Sequence, residues 1–386
     1  MTPLTQKFLT LGNAYHLPGN WLTDRPHLFS STIVDLPKHQ ADIITTTIHN
    51  IQQVAATPAF QTAALSIAPA FAQKTPGNSG VLFGYDFHLT PDGPKLIEIN
   101  TNAAGAFLIA LLEQAQGIPN ALKNWHTRLM QMFLNEWRNK YPDKPLTSIA
   151  IIDSNPEAQY FYPEFLLFQA LFHANNIACV IADPSELVLK NKKIHIENTP
   201  IDLVYNRLTD FELLQPAHAV LQQAYMNDQV MITPNPYNYF LYAHKRNLTL
   251  LSDQDLLQRC GISEKMIQEL NAVVPAAYIV DPAHAEKIWE TRKQFFFKPV
   301  SGYAGKGVYR GQNMTRRVFD EILAGNYMAQ ALVPPSEIEV DGERRKVDLR
   351  AYVYAGEILG FGARIYQGQT TNLRTPGGGF AVVRIT

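Results

Sequence analysis

Two stretches of this chain are suited to gripping ions, and they lie in opposite halves of it. Late in the sequence, Phe295-Phe296-Phe297-Lys298-Pro299-Val300-Ser301-Gly302-Tyr303-Ala304-Gly305-Lys306-Gly307 carries a lysine out of an apolar run into a glycine-rich turn. Early in it, Gly84-Tyr85-Asp86 and Leu96-Ile97-Glu98-Ile99-Asn100 set oxygen-bearing side chains on what reads as a hairpin. The late stretch offers positive charge and backbone N–H groups for phosphate; the early one offers oxygens for a cation. Neither is a complete site alone. A fold that uses both has to bring residues about 200 positions apart into one cleft.

Residues 81–89 and 95–100 read as strands around Thr90-Pro91-Asp92-Gly93. Glu98 and Asn100 are two apart on a strand, so their side chains share a face. With residues 90–94 as a five-residue connection, Leu89 pairs with Lys95 and Asp86 falls opposite Glu98. Asp86, Glu98 and Asn100 then converge, a set that suits magnesium completed by phosphates and water. The alternative is an amphipathic hairpin with a solvated polar face. Against it stand the apolar neighbours Leu96, Ile97 and Ile99 and the small-residue turn Thr101-Asn102-Ala103-Ala104-Gly105, which lets backbone approach a ligand.

In the late stretch, Lys298, Ser301, Gly302, Gly305 and Gly307 are the candidate phosphate cradle. It is not a P-loop, because only two residues separate Gly302 from Gly305-Lys306 where that motif needs four; an ordinary glycine-rich hairpin is the alternative. Further on, an apolar strand runs into a proline-stiffened connection at Gln330-Ala331-Leu332-Val333-Pro334-Pro335-Ser336-Glu337. Backbone groups at Gln330, Ala331 and Val333 can read an adenine edge, with Glu337 reaching ribose hydroxyls. Arg350 and Arg364 sit on consecutive predicted strands joined near Gly356, and Asp348 shares a face with Arg350. Arginines aimed at a transferring phosphoryl group stabilise its charge, while surface ion pairing is the alternative for either one.

At 386 residues the chain is long enough for two or three domains. With 46% hydrophobic and 17% charged residues it reads as globular, and a formal net charge of -1 argues against a broad nucleic-acid or anionic-membrane surface. The cysteines, Cys179 and Cys260, have no metal-ligand spacing and read as buried thiols. No segment approaches a membrane span, no signal peptide is visible, and the cytoplasm is the expected compartment. Residues 1–36 read as irregular and 38–72 as mostly helical, with helices expected at 107–116 and 120–141. Strands and helices alternate from 148 to 232, which implies a small, mostly parallel α/β unit. Helices are expected over 237–251 and 253–270, and mainly strands from 294 onward. The expected division is 1–145, 146–235 and 236–386.

Together these motifs resemble the ATP-grasp superfamily. The run Asp348-Leu349-Arg350, Arg364, Asn372-Leu373-Arg374 and Gly377-Gly378-Gly379 looks like the late strands of its peptide ligases. In those enzymes an aspartate strand and a Glu-x-Asn strand follow; here the similar pieces, Asp86 and Glu98-Ile99-Asn100-Thr101, come early. That order is similar to the circularly permuted branch of eukaryotic glutathione synthetase and glutathionylspermidine synthetase. The resemblance implies an α/β (α+β), permuted ATP-grasp fold with an inserted small parallel α/β substrate domain. It implies a Mg-ATP carboxylate–amine or carboxylate–thiol ligase working through an acyl phosphate, with a small-molecule or peptide carboxylate and an amine as substrates. Lys298 would hold inner phosphates, with Lys245 in Ala243-His244-Lys245-Arg246-Asn247 as the earlier nucleotide lysine. Arg207, Asn102, Asn372, Arg374 and Gly378 become substrate candidates. Permuted glutathione synthetases carry a metal-binding glutamate where this chain has Gly302, which makes Asp86 the expected third ligand. A small-molecule kinase of the same superfamily and a non-catalytic nucleotide-binding protein stay open.

Overall fold

A sheet of seven strands drawn from both ends of the sequence organises the molecule. The computed structural model describes residues 3–300, 307–369 and 371–386. Across the sheet the order is Phe29–Leu36, Gly379–Ile385, Glu357–Tyr366, Glu343–Tyr354, Phe83–Thr90 and Gly93–Asn100, and Ser336–Val340 also pairs with Glu343–Tyr354. Alternation along the strands sorts their side chains. Tyr85, Phe87, Leu349, Ala351 and Val353 pack with Ile44, Ile48 and Ile51 of helix Lys38–Ala55, whose spacing forms one apolar stripe. Burying each such side chain contributes roughly 1.5–3 kcal/mol. Asp86, His88, Asp348 and Arg350 therefore turn to the opposite face. Part of that face is covered by the buried helix Ala106–Ala115, and part lines a cavity.

Strand Met231–Thr233, then Leu203–Asn206, Ser148–Ile152 and Ala178–Ala182, form a second, parallel sheet. Helix Tyr162–Ala174 supplies its crossover and buries Phe165, Phe168 and Phe172. A third, antiparallel sheet runs Ala277–Ile279, Tyr327–Ala331, Phe295–Pro299 and Tyr309–Arg310. It is backed by helix Arg316–Ala324, which Thr315 caps by accepting from the Val318 N–H. Phe319 and Ile322 of that helix bury against Phe297 and Ala329. No helix among the described residues is long and apolar enough to cross a membrane.

Three expectations need correcting. Residues 1–36 are not irregular: Pro3–Ala14 is a helix, and Phe29–Leu36 pairs in parallel with Gly379–Ile385. The proline and aromatic punctuation of that stretch masked a strand whose partner lies at the far end of the sequence. The hairpin has no five-residue connection; Thr90 pairs with Gly93 and Leu89 with Pro94. A bulge between Asp86 and Phe87 skips Ile97 and restores Asp86 opposite Glu98. Finally, the helix expected over 237–251 is broken into Pro236–Asn238, a π-turn at Tyr239–Ala243 and Asn247–Leu251. Lys245 stands in that break.

Candidate active site

The bulged hairpin and its neighbouring strands set charged side chains side by side. Asp86 pairs with Glu98 on one side and with Arg350 on the other, while Asp348 pairs with Arg364. Arg350 grips Asp86 through two bonds, Nε to Oδ1 at 2.6 Å and Nη2 to Oδ2 at 2.7 Å. Arg364 bridges two carboxylates, with Nη2 2.8 Å from Asp86 Oδ2 and Nε 2.6 Å from Asp348 Oδ1. Thr371 donates to the other Asp348 oxygen at 2.5 Å. All four charged groups are buried. Burial works to raise the Asp86 carboxyl, but Arg350 and Arg364 outweigh it and hold the group below the usual carboxylate range. Two guanidinium groups facing two carboxylates leave this network close to neutral, as a buried cluster needs.

Beside it lies Lys298, delivered by strand Phe295–Pro299. Its ammonium donates to Gln330 Oε1 at 2.6 Å and to the Ile97 carbonyl at 3.4 Å. Burial pushes its pKa down to about 8, with Glu98 acting in the opposite direction. Lys245 is also lowered by burial and raised by Glu98. Both lysines and Glu98, together with Asn100, Arg350 and Arg364, line one cavity of about 550 Å³. Phe296, Gln330, Ala331, Val333 and Leu248 line it as well. Cations, apolar walls and strand backbone around one cavity are features that suit a ligand with both anionic and flat apolar parts.

Among the described residues no group of three or more His, Cys, Asp or Glu is arranged to hold a metal. Asp86 lines the same cavity. Its oxygens are taken by two arginines and by Asn100 Nδ2 at 3.0 Å, and a cation beside two guanidinium groups would be repelled. What remains is the Glu98 carboxylate and the Asn100 side chain, whose Nδ2 donates to Glu98 at 3.2 Å and whose oxygen is the second donor. One carboxylate and one amide suit magnesium, which takes few protein oxygens when phosphates supply the others. The residues present fit the ion on those terms, without Asp86.

The other site expectations divide. Asn372 and Arg374 line the cavity, with Arg374 4.7 Å above the Tyr160 ring. Arg207 does not: it is buried, donating to the Ala103 carbonyl at 3.1 Å and the Tyr205 hydroxyl at 3.2 Å. Asn102 also lies off the lining, its amide turned to the Leu208 carbonyl at 3.0 Å. Glu337 is exposed, 3.6 Å from Arg344 and off the cavity lining, although its register partner Lys346 puts it on the same sheet face as Asp348 and Arg350. At Gly378 a Cβ would meet the Ile365 carbonyl at 2.8 Å. Gly307 has φ +70 and sits by the Tyr327 hydroxyl. Ser301, Gly302 and Gly305 lie outside the described residues.

Two residues were missed in the sequence. His88 lines the cavity, and its Nδ1 lies 3.2 Å from the Val333 carbonyl. A carbonyl only accepts, so Nδ1 carries the proton, and burial lowers the ring's pKa. Its position two residues after Asp86 was the available signal. Thr371, which anchors Asp348, had none.

No family model matches the sequence, and no curated protein matches it. Among solved structures the chain is similar to a glutathione synthetase-like effector from Globodera pallida in its apo form, with 11% identity and a TM-score of 0.59 over 100% of this chain and 98% of that one. It is also similar to a putative γ-glutamylcysteine synthetase from Methylobacillus flagellatus KT, with 10% identity and a TM-score of 0.51 over 90% of this chain and 87% of that one. At these identities the likeness speaks to architecture alone. The chain has a glutathione synthetase-like, ATP-grasp-related fold.

Proposed function

We propose that this protein is a Mg-ATP-dependent ligase that joins a carboxylate to an amine or thiol through an acyl phosphate. The observation that carries the reading is the meeting of Lys245 and Lys298 with Glu98, Asn100, Arg350 and Arg364 in one cavity. The names of the two similar structures, a glutathione synthetase-like effector and a putative γ-glutamylcysteine synthetase, support it. On this reading the catalytic unit is circularly permuted, since the hairpin at 83–100 completes a sheet whose other site strands begin at 343. The segments 1–145, 146–235 and 236–386 are its proposed divisions, with the parallel sheet serving the substrate.

Lys298 and Lys245 bind the phosphates, and Gln330 orients the Lys298 ammonium through its 2.6 Å bond. Gln330, Ala331 and Val333 edge the base, and His88 pins the Val333 carbonyl so that this backbone keeps its shape. Glu98 and Asn100 would hold magnesium, which when bound neutralises phosphate charge and aligns the transferring group. A substrate carboxylate oxygen attacks the γ-phosphorus, ADP leaves, and the nucleophile then displaces phosphate from the acyl carbon while losing its proton. Fixed arginine and lysine charges suit the charge that spreads over the phosphoryl oxygens in flight. Arg374 and Asn372, in the cavity lining, are the proposed substrate contacts.

The test is an ADP-release screen over carboxylates crossed with amines and thiols, followed by isotope tracing. Heavy oxygen placed in the substrate carboxylate should appear in inorganic phosphate. Release of AMP and pyrophosphate would mean an adenylate route and would sink the proposal; ADP release with a carboxylate or alcohol alone would mean a kinase. Lys298→Ala should abolish turnover in a protein that still folds.

A further inference from the structure

We propose that Asp86 is a positioning residue, the anchor that aims Arg350 and Arg364 into the cavity, and that it contributes nothing to metal binding. The inference rests on the nucleotide-ligase reading and assigns one of its residues a different task.

Geometry makes the case. Arg350 holds Asp86 in a two-pronged fork at 2.6 and 2.7 Å, and Arg364 adds a third contact at 2.8 Å. A planar guanidinium held by two parallel bonds has its orientation fixed, which a single contact does not achieve. The fork leaves Arg350 Nη1 near the Ala104 carbonyl at 3.4 Å, beside the small-residue turn at the cavity floor. The sequence also makes room for this pose. Gly84, paired with Tyr352, lies under the arginine, and a Cβ there would come within 2.9 Å of Arg350 Nε and 2.9 Å of Ala103 Cβ. Arg364 is fixed from its other side by Asp348, which Thr371 holds in turn. Asp86 is thus the one carboxylate shared by both arginines, 1% exposed. Glu98, directly across the hairpin, lines the cavity, accepts from Asn100 and acts on Lys245 and Lys298.

The experiment compares wild type, Asp86→Asn and Glu98→Gln by titration calorimetry with ADP, in EDTA and in excess magnesium, alongside proton–nitrogen spectra of the arginine Nε–H groups. Expected are a magnesium-dependent gain in ADP affinity that Glu98→Gln loses and Asp86→Asn keeps to within about twofold. Exchange protection of the Arg350 and Arg364 Nε–H groups in wild type should be lost in Asp86→Asn. Turnover in Asp86→Asn should fall about 10- to 100-fold, as when an outer partner of a site group is removed. Loss of the magnesium gain in Asp86→Asn, matching Glu98→Gln, would overturn the proposal. If wild type binds no ADP, the ligase reading falls and the arginine signals alone decide: lost protection in Asp86→Asn upholds the anchor, and unchanged protection overturns it. Asp86→Asn strands two buried guanidinium groups; if it fails to purify, the charge-balanced Asp86→Asn/Arg350→Gln is compared with Arg350→Gln. An equal magnesium gain in those two upholds the proposal, and a further loss in the double variant overturns it.

Discussion

Lys298→Met separates what this lysine does for a ligand from what it costs the empty protein. Burial depresses its pKa from 10.5 to about 8, a gap worth roughly 3 kcal/mol at about 1.36 kcal/mol per unit. Below pH 8 both the folded and unfolded chains carry the proton, and the folded state bears the whole cost. Between pH 8 and 10.5 the folded state sheds its proton first, so the unfolded chain binds more protons and stability rises with pH. Methionine removes the charge but orphans Gln330 Oε1, at about 1–3 kcal/mol; the Ile97 carbonyl keeps its 3.4 Å bond from Gln330 Nε2. At pH 7 the metal-free variant should therefore be more stable than wild type by about 1 kcal/mol. By pH 9.5 wild type regains about 2 kcal/mol relative to the variant, and the order reverses. Urea denaturation in EDTA at the two pH values measures the difference, in which other titrating groups cancel. ADP at 100 times its dissociation constant should add about 2.7 kcal/mol to wild type and nothing to the variant. A stability difference that is the same at pH 7 and 9.5 would refute the argument.

Other perturbations follow from the same geometry. Asp348→Asn removes one of the two carboxylates that balance Arg350 and Arg364, leaving a buried positive charge, and should cost about 3–5 kcal/mol in denaturant unfolding. Gly105→Ala should cost about 3 kcal/mol, because the residue has φ +107 and a Cβ would meet Phe380 at 2.3 Å and the Tyr352 hydroxyl at 2.6 Å; normal stability would mean the turn can relax. Glu337→Ala should leave ADP affinity unchanged, since that side chain is exposed and off the cavity lining; a weakened titration would show that it reaches the ligand.

How much of this was legible depended on sequence distance. The alternation in Leu96-Ile97-Glu98-Ile99-Asn100 showed which side chains share a face because the period of a strand is local. The parallel unit was readable for the same reason, each strand being followed by its own helix or hairpin. The tie between Asp86 and Arg350 was not, because it is made by strand partners about 260 residues apart, and nothing local marks a partner at that range. Without it Asp86 looked like a ligand. Even the correct pairing of Asp86 with Glu98 was reached through a wrong loop, since the skipped Ile97 cannot be told from its regular neighbours. Lys245 was located while its helix was drawn unbroken, because a π-turn carries no compositional mark.

The central sheet also sets a schedule for biosynthesis. Strand Phe83–Thr90 meets Glu343–Tyr354, so about 250 residues must be translated before its outer edge is covered, a wait of roughly 10–50 s at 5–20 residues per second. During that interval the acidic hairpin presents a long, largely apolar edge with Asp86 uncompensated, a surface open to wrong pairing. The aspartate that later anchors two arginines is, for that time, a charge on an otherwise sticky strand, and charges on such edges discourage association between chains. The residue that orders the finished site is thereby also placed to protect the nascent one.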